Sequence, residues 1–255
     1  MESKRLDVLV FERGLAKSRE EAQALILAGA IWSGEQRLDK AGQKVKVDIS
    51  LEVRSRTPAF SSRAGHKLEH ALVTFGIGVD QRYCADVGAS TGGFTDCLLK
   101  RGAKGVVAID VGYGQIDSKL RSDPRVVNLE KTNARYLEPA TITSVRPDFP
   151  VGEVSLVVID VSFISLHKVV PALVSTFSRA SEWVFLFKPQ FEVGREHLGK
   201  GGLVKDEAAV ESALADFESA MAGLGLVRRA GPESSPLKGK KRGNVEILLH
   251  YETRH

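Results

Sequence analysis

The chain has 255 residues, 43% of them apolar and 27% charged, and its 36 Lys and Arg against 32 Asp and Glu leave a net charge of +4. That balance belongs to a globular chain long enough for one or two buried cores, and it excludes a disordered polyelectrolyte. Mild basicity permits a polyanionic partner without requiring one. Two cysteines, Cys84 and Cys97, are too few for a disulfide framework and lack metal-ligand spacing, so two reduced thiols and no metal are expected. The start carries Glu2, Lys4, Arg5 and Asp7 and lacks the apolar core of a signal peptide. The longest apolar runs, residues 156–159 and 183–187, are strand-sized, against the ~20 residues a membrane helix needs. A cytoplasmic protein without a membrane partner is the expectation.

Residues 4–47 read as a small α+β unit. Leu6, Leu9 and Val10 recur at helical spacing, and Gly14 stops that helix. Ser18-Arg19-Glu20-Glu21 is a capping box, in which the Ser18 hydroxyl accepts from a free N–H and Glu21 reaches back. Ala22, Leu25 and Ile26 make the apolar face of a second helix, with Gly29 as its stop. Short strands follow at 31–34 and 45–47, with turns at Gly34 and Gly42. Arg5-Leu6-Asp7, Gly14-Leu15-Ala16-Lys17-Ser18-Arg19, Ala22, Ile26, Gly29 and the Val45 strand together resemble the S-four-type RNA-binding domain. The resemblance implies that Arg5, Lys17 and Arg19 contact RNA phosphates. Charge alone would not identify this stretch, because residues 1–60 hold 11 basic and 9 acidic side chains.

Residues 48–60 lose periodicity around Arg54, Arg56 and Pro58 and read as a linker. The expected division is therefore 1–60 and 61–255. From residue 61, strand-like runs at 83–87, 105–110, 126–129, 154–160 and 183–187 alternate with helical stretches at 64–74, 93–101 and 207–222. That alternation predicts an α/β, Rossmann-like fold, a mostly parallel sheet with helices on both faces. Ligands of such folds sit at the carboxyl ends of the strands. The first of these strands ends in Asp86-Val87-Gly88-Ala89-Ser90-Thr91-Gly92-Gly93-Phe94, where the glycines suggest close backbone approach to a ligand. Its G-x-x-x-G-G spacing differs from the G-x-G-x-x-G of dinucleotide sites. Asp110, 22 residues after Gly88, ends the next strand and can accept from both ribose hydroxyls. An adenosine ligand without a diphosphate fits, and S-adenosyl-L-methionine is the expected cofactor.

Further motifs run through the rest of the chain: Ser62-Arg63-Ala64-Gly65-His66-Lys67-Leu68, Asp110-Val111-Gly112-Tyr113-Gly114-Gln115, Asp160-Val161-Ser162-Phe163-Ile164-Ser165-Leu166, Lys188-Pro189-Gln190-Phe191-Glu192 and Gly243-Asn244-Val245-Glu246. With residues 86–96 they resemble the TlyA family of bacterial ribosomal RNA 2′-O-methyltransferases, within the FtsJ-like branch, whose members also carry haemolysin labels. The resemblance implies a class I methyltransferase domain, transfer of a methyl group to a ribose 2′-hydroxyl of ribosomal RNA (of cytidine), and a ribosomal subunit or its RNA as partner. It implies a catalytic Lys–Asp–Lys–Glu set at Lys67, Asp160, Lys188 and Glu246. It implies cofactor contacts from Asp86, Gly88, Ser90, Thr91, Gly92, Gly93, Phe94, Asp110, Val111 and, at the adenine edge, Asn133. Arg63 joins the RNA contacts.

The chemistry needs such a set. A ribose 2′-hydroxyl is a poor nucleophile and must lose its proton near attack. Lys188 is the candidate base and Lys67 its charged neighbour. Asp160 orients Lys188 and favours the sulfonium methyl group, while Glu246, on the final strand, binds Lys67 or the ribose. Attack is in line on the methyl carbon, so positioning supplies much of the acceleration, and no metal is required. Residues 228–242 add Arg228, Arg229, Lys238, Lys240, Lys241 and Arg242 against Glu233, a net +5. They read as a phosphate-binding loop leading into Glu246. Two other functions compete: a non-catalytic RNA-binding or assembly factor, against which the complete charge set argues, and a haemolysin, against which the lack of an export signal and of a long amphipathic stretch argues.

Overall fold

The computed structural model describes residues 3–27, 30–34, 36–53, 60–236 and 244–254. They fall into two compact units, Met1–Ala59 and Phe60–His255. In the first unit, β1 (Ser3–Arg5) leads into α1 (Leu6–Glu12) and α2 (Arg19–Leu27), followed by β2 (Ile31–Ser33), β3 (Gln36–Arg37), β4 (Lys44–Lys46) and β5 (Glu52–Val53). Strand β1 pairs antiparallel with β4, and β2 pairs with β3 and β5. The two helices and the strands bury Leu6, Leu9, Val10, Ala22, Ile26 and Ile31. Gly14 takes a positive φ of 71° where α1 ends. At the start of α2 the Glu21 N–H donates to Ser18 Oγ at 3.1 Å. The return bond of the capping box arrives one residue earlier than expected: Glu21 Oε2 accepts from the Lys17 N–H at 2.5 Å. The expected stop at Gly29 lies outside the described residues.

The linker reading needs correction at its start. Ile49, Leu51 and Val53 pack on the first core, and Glu52–Val53 pairs with Ile31 and Trp32. These residues belong to the fold of the first unit; residues 54–59 lie outside the described part.

The second unit runs α3 (Ala64–Thr74), β6 (Tyr83–Val87), α4 (Gly93–Lys100), β7 (Gly105–Ile109), α5 (Ser118–Arg121), β8 (Val126–Leu129), α6 (Pro139–Val145), β9 (Val154–Ile159), α7 (Val170–Thr176), β10 (Glu182–Phe187), α8 (Pro189–Glu192), α9 (Glu207–Gly223), β11 (Leu226–Ser234) and β12 (Ile247–Thr253). One seven-stranded sheet has the order β11-β12-β10-β9-β6-β7-β8. Its five strands from β10 to β8 are parallel, and β12 is antiparallel to both neighbours. Successive strand residues alternate between two cores. Cys84, Val106, Ala108, Leu156, Val158, Val184, Leu186 and Leu248 face Leu68, Leu72, Phe94, Leu98 and Leu120, from α3, α4 and α5. Ala85, Val107, Ile109, Val157, Ile159, Phe185, Phe187 and Leu249 face Ile142, Leu173, Phe217 and Met221, from α6, α7 and α9. Burial on both faces explains why these strands read as nearly continuous apolar runs. Both cysteines are buried and unbridged. Among the described residues no helix is long and apolar enough to cross a membrane.

The basic stretch near the end is corrected in part. Arg228 and Arg229 belong to strand β11 instead of a loop, ion-paired with Glu218 at 3.5 Å and Glu252 at 2.6 Å. Lys238, Lys240, Lys241 and Arg242 lie outside the described residues. Glu246 immediately precedes the final strand β12, which begins at Ile247.

Candidate active site

The sheet register levels the strand ends. Val87 lies beside both Ile109 and Ile159, and Ile109 beside Leu129, so the loops after β6, β7, β8 and β9 leave from one edge. Strand β10 ends on the same side, and Phe187 pairs with Ile247. Lys188 and Glu246, one step beyond that pair, are therefore neighbours. The antiparallel insertion of β12 brings a residue just before the final strand to the carboxyl edge of the parallel ones.

Two ion pairs occupy this edge. Lys188 Nζ lies 2.5 Å from Asp160 Oδ1, with the two side chains 8% and 14% exposed. Lys67 Nζ, from the first turn of α3, lies 2.5 Å from Glu246 Oε2, with exposures of 13% and 6%. Lys188 Nζ also donates to the Val161 carbonyl at 3.0 Å and to Ser162 Oγ at 2.8 Å. An ammonium has three donors; two of those of Lys188 find these acceptors, and Asp160 meets it as an ion pair. Pairs this far out of water are costly to break one-sidedly, because the remaining charge is left desolvated.

The turn after β6 lies on the same edge. Asp110 holds it from the end of β7: Oδ2 accepts from the Ser90 N–H at 2.8 Å and Oδ1 from the Gly112 N–H at 2.7 Å. Ser90 takes a positive φ of 48° and donates through Oγ to Gln115 Oε1 at 3.2 Å. Thr91, Val111 and Asn133 are exposed, and Asn133 Oδ1 accepts from the Arg135 N–H at 3.1 Å. The glycines serve contacts within the protein as well as openness. A Cβ on Gly88, whose φ is 88°, would come 2.5 Å from the Asp160 carbonyl oxygen. One on Gly93 would come 2.2 Å from Ser62 Oγ and 3.0 Å from the Gly65 nitrogen, where α3 and α4 meet. Gly92 is similarly closed in by Leu120 and Ile116. Phe94, expected at the cofactor, is buried in the core beneath α4. Asp86 is buried too: Thr95 Oγ1 donates to its Oδ2 at 2.6 Å, while Oδ1 has no hydrogen-bond partner among the described residues. Burial pushes the Asp86 carboxyl up to about 7, with the charges of Asp160 and Asp110 adding to the rise against the Thr95 bond.

Several residues had no role assigned from the motifs. Ser162 and the Val161 carbonyl complete the Lys188 cage. Glu192 accepts from Ser165 Oγ at 2.6 Å and from the Leu166 N–H at 2.9 Å. Asn244 donates to the Gly202 carbonyl at 2.8 Å and accepts from the Val204 N–H at 3.0 Å, which anchors the approach to Glu246. Phe163, 92% exposed with a φ of 65°, packs against Phe191. Their motifs were visible; the partners that give them meaning lie 26 to 42 residues away.

In the first unit, Asp7 is fully buried and gathers two of the expected RNA contacts. It accepts from Arg5 at 3.0 and 3.1 Å, from Arg19 at 3.1 Å and from Gln23 at 2.9 Å. About half of each arginine side chain stays exposed. Lys17 and Arg63 are exposed. One set of groups, Glu182, His250 and Glu252, could by proximity hold a metal ion. Its carboxylates are engaged by Arg82 and Arg229, and it lies at the opposite end of β10 from Lys188.

A mainly parallel seven-stranded sheet, with one antiparallel strand delivering an acidic residue to the carboxyl edge, is a Rossmann-like methyltransferase fold. The FtsJ-like methyltransferase family matches residues 60–249, and the S4 domain matches residues 4–48. The chain belongs to the FtsJ-like methyltransferases that carry an N-terminal S4 domain. It is 47% identical over 251 residues to the 16S/23S rRNA (cytidine-2′-O)-methyltransferase TlyA of Mycobacterium tuberculosis, covering 98% of this chain and 90% of that one. It is 41% identical to hemolysin A of Brachyspira hyodysenteriae, covering 97% and 99%. A solved structure from Streptococcus thermophilus, provisionally labelled a hemolysin, superposes with a TM-score of 0.70 at 39% identity, covering 99% of this chain and 89% of that one.

Proposed function

We propose that this protein transfers a methyl group from S-adenosyl-L-methionine to a ribose 2′-hydroxyl of ribosomal RNA, with cytidine as the target nucleoside by likeness to the mycobacterial relative. The observation that carries the reading is the pairing of Lys188 with Asp160 and of Lys67 with Glu246 on the strand edge that also bears the Gly88 turn and Asp110.

The residues present fit the cofactor. Each Asp110 oxygen accepts one backbone bond, and an ionised carboxylate has about four acceptor positions, so room remains for two ribose hydroxyls. Gly88, Ser90, Thr91, Val111 and Asn133 would line the nucleoside, while Gly92, Gly93 and Phe94 support the turn from behind. When bound, the cofactor supplies an electrophilic methyl carbon on a sulfonium. Lys188, after losing a proton, would accept the 2′-hydroxyl proton at Nζ as the ribose oxygen bonds to that carbon and the carbon–sulfur bond breaks, its electron pair leaving on sulfur as a neutral thioether. Asp160 holds Nζ in place and compensates the charge it regains. Glu246 fixes Lys67, whose ammonium faces the developing alkoxide. Arg5, Lys17, Arg19 and Arg63, with Lys238, Lys240, Lys241 and Arg242, would hold RNA phosphates.

Ribosomal subunits lacking the modification, incubated with methyl-labelled cofactor, test the reading. Label should appear on a ribose 2′-oxygen. Lys188→Ala should lose on the order of 100-fold or more in rate, the scale of a general base, with cofactor affinity nearly unchanged. Label on a base, or none on either subunit, would overturn it.

A further inference from the structure

Two segments make the Lys188 cage: residues 160–166, which follow β9, and residues 188–192, which follow β10. They are joined at both ends. At one end Lys188 reaches across to Asp160, the Val161 carbonyl and Ser162 Oγ. At the other end Glu192 reaches back, accepting from Ser165 Oγ at 2.6 Å and from the Leu166 N–H at 2.9 Å. Ser165 Oγ in turn accepts from the His167 N–H at 3.2 Å, capping the turn that follows. Between the two ends, Phe163 and Phe191 meet with ring centroids 5.4 Å apart.

We infer that Glu192 is a positioning residue for methyl transfer: by clamping Ser165 and Leu166 it holds the 161–162 backbone and the Ser162 hydroxyl against Lys188. This rests on the proposed role of Lys188 as base. Phe163 has positive φ, a conformation that an L-residue other than glycine adopts at a cost, so the turn needs an external hold. A carboxylate with one bond to a hydroxyl and one to a backbone N–H at the start of the next turn provides it. The position is costly for a carboxylate, because burial pushes Glu192 upward and only the two bonds, helped by nearby His167, oppose that rise.

Freeing the turn leaves Lys188 less well placed, so the rate falls while the cofactor pocket is untouched. A mutation that only loosens the fold would lower melting and cofactor affinity together and would not be rescued by a side chain that restores the two clamp bonds. The test is single-turnover methyl transfer with the full-length protein, ribosomal subunits and saturating cofactor across a pH series, alongside cofactor affinity and thermal melting. For Glu192→Ala we expect a rate loss of ~10- to 100-fold at the plateau and cofactor affinity within about twofold. Glu192→Gln keeps an oxygen for the Leu166 N–H and an amide that can donate to Ser165, so it should restore most of the rate. Should Glu192→Ala unfold, Ser165→Ala removes one of the two bonds and should give a smaller loss of rate with cofactor affinity unchanged. Activity of a folded Glu192→Ala equal to that of the unaltered protein at every pH would overturn the inference while leaving the methyltransferase reading intact. An inactive unaltered protein would strike that reading itself.

Discussion

Asp86 and Asp7 are both fully buried carboxyls, and their surroundings push them in opposite directions. Asp86, raised to about 7 from an ordinary value near 3.8, keeps its proton in the folded state at pH values where the unfolded chain has lost it. The folded state therefore binds more protons between roughly pH 4 and 7, and stability falls as pH rises through that window. Asp86→Asn should remove this slope: urea midpoints for the variant and the unaltered protein should lie close at pH 4 and diverge toward pH 8 in favour of the variant. Parallel midpoint curves would place no titrating carboxyl there. Asp7 is held well below the usual carboxylate range, first by the Arg5 hydrogen bond, with Gln23 and Arg19 adding to it. Its contribution is present above the unfolded value and fades as pH falls through the folded one. The same geometry sets a test in which two effects have opposite signs. Removing a negative charge beside the proposed RNA contacts ought to strengthen binding, but Asp7→Asn also loosens the hold on Arg5 and Arg19. We expect weaker binding to ribosomal RNA and a shallower salt dependence, read by titration at several salt concentrations; tighter binding would mean that Asp7 does not orient the arginines.

At the scale of elements, α9 depends on Phe217, which meets the rings of Phe185, Phe187 and Tyr251 on the sheet and His167 from the segment after β9. Phe217→Ala should cost about 3–5 kcal/mol, measured by chemical denaturation, since the ring sits in the core with no room to collapse around its loss. A cost under ~1 kcal/mol would mean that α9 is not held by this cluster. Elements of this kind were legible before the fold was known. The runs at 83–87 and 126–129 and the helix at 64–74 coincide with β6, β8 and α3, because strands buried on both faces and amphipathic helices write their burial into the sequence. Strand β11 was not legible. It lies at the sheet edge, pairs among the described residues with β12 alone, and carries Arg228, Arg229, Gly231 and Pro232, residues an edge tolerates and a central strand does not. Strands β3 and β5, two residues each, exist through pairing with β2 and carry no pattern of their own. Among the candidate site residues, the four charged ones could be picked out by motif order. The Glu192 clamp could not, because a glutamate on a four-residue helix looks like any solvated charge until Ser165 is brought beside it.

For the molecule as a whole, each unit has its own core, and no described residue of the first contributes to the clusters that support the second. Deleting residues 1–59 should therefore leave cofactor affinity and the melting of the second unit nearly unchanged. It should weaken binding to ribosomal RNA by more than the net charge of the deleted segment suggests, because two linked surfaces raise each other's effective concentration. Calorimetry for the cofactor and RNA titrations across salt concentrations separate these outcomes. Equal RNA affinity with and without the segment would assign the first unit another task.

The insertion of β12 between β10 and β11 also sets a timetable. In a chain made from residue 1 onward, Lys67, Asp160 and Lys188 exist before Glu246, which follows Lys188 by 58 residues. At typical synthesis rates that interval is roughly 3–12 s. Throughout it, β10 lacks its β12 partner and Lys67 lacks Glu246. Closing the sheet and completing the charge set are one event, so an interrupted chain would carry most of the fold with its charge set unfinished.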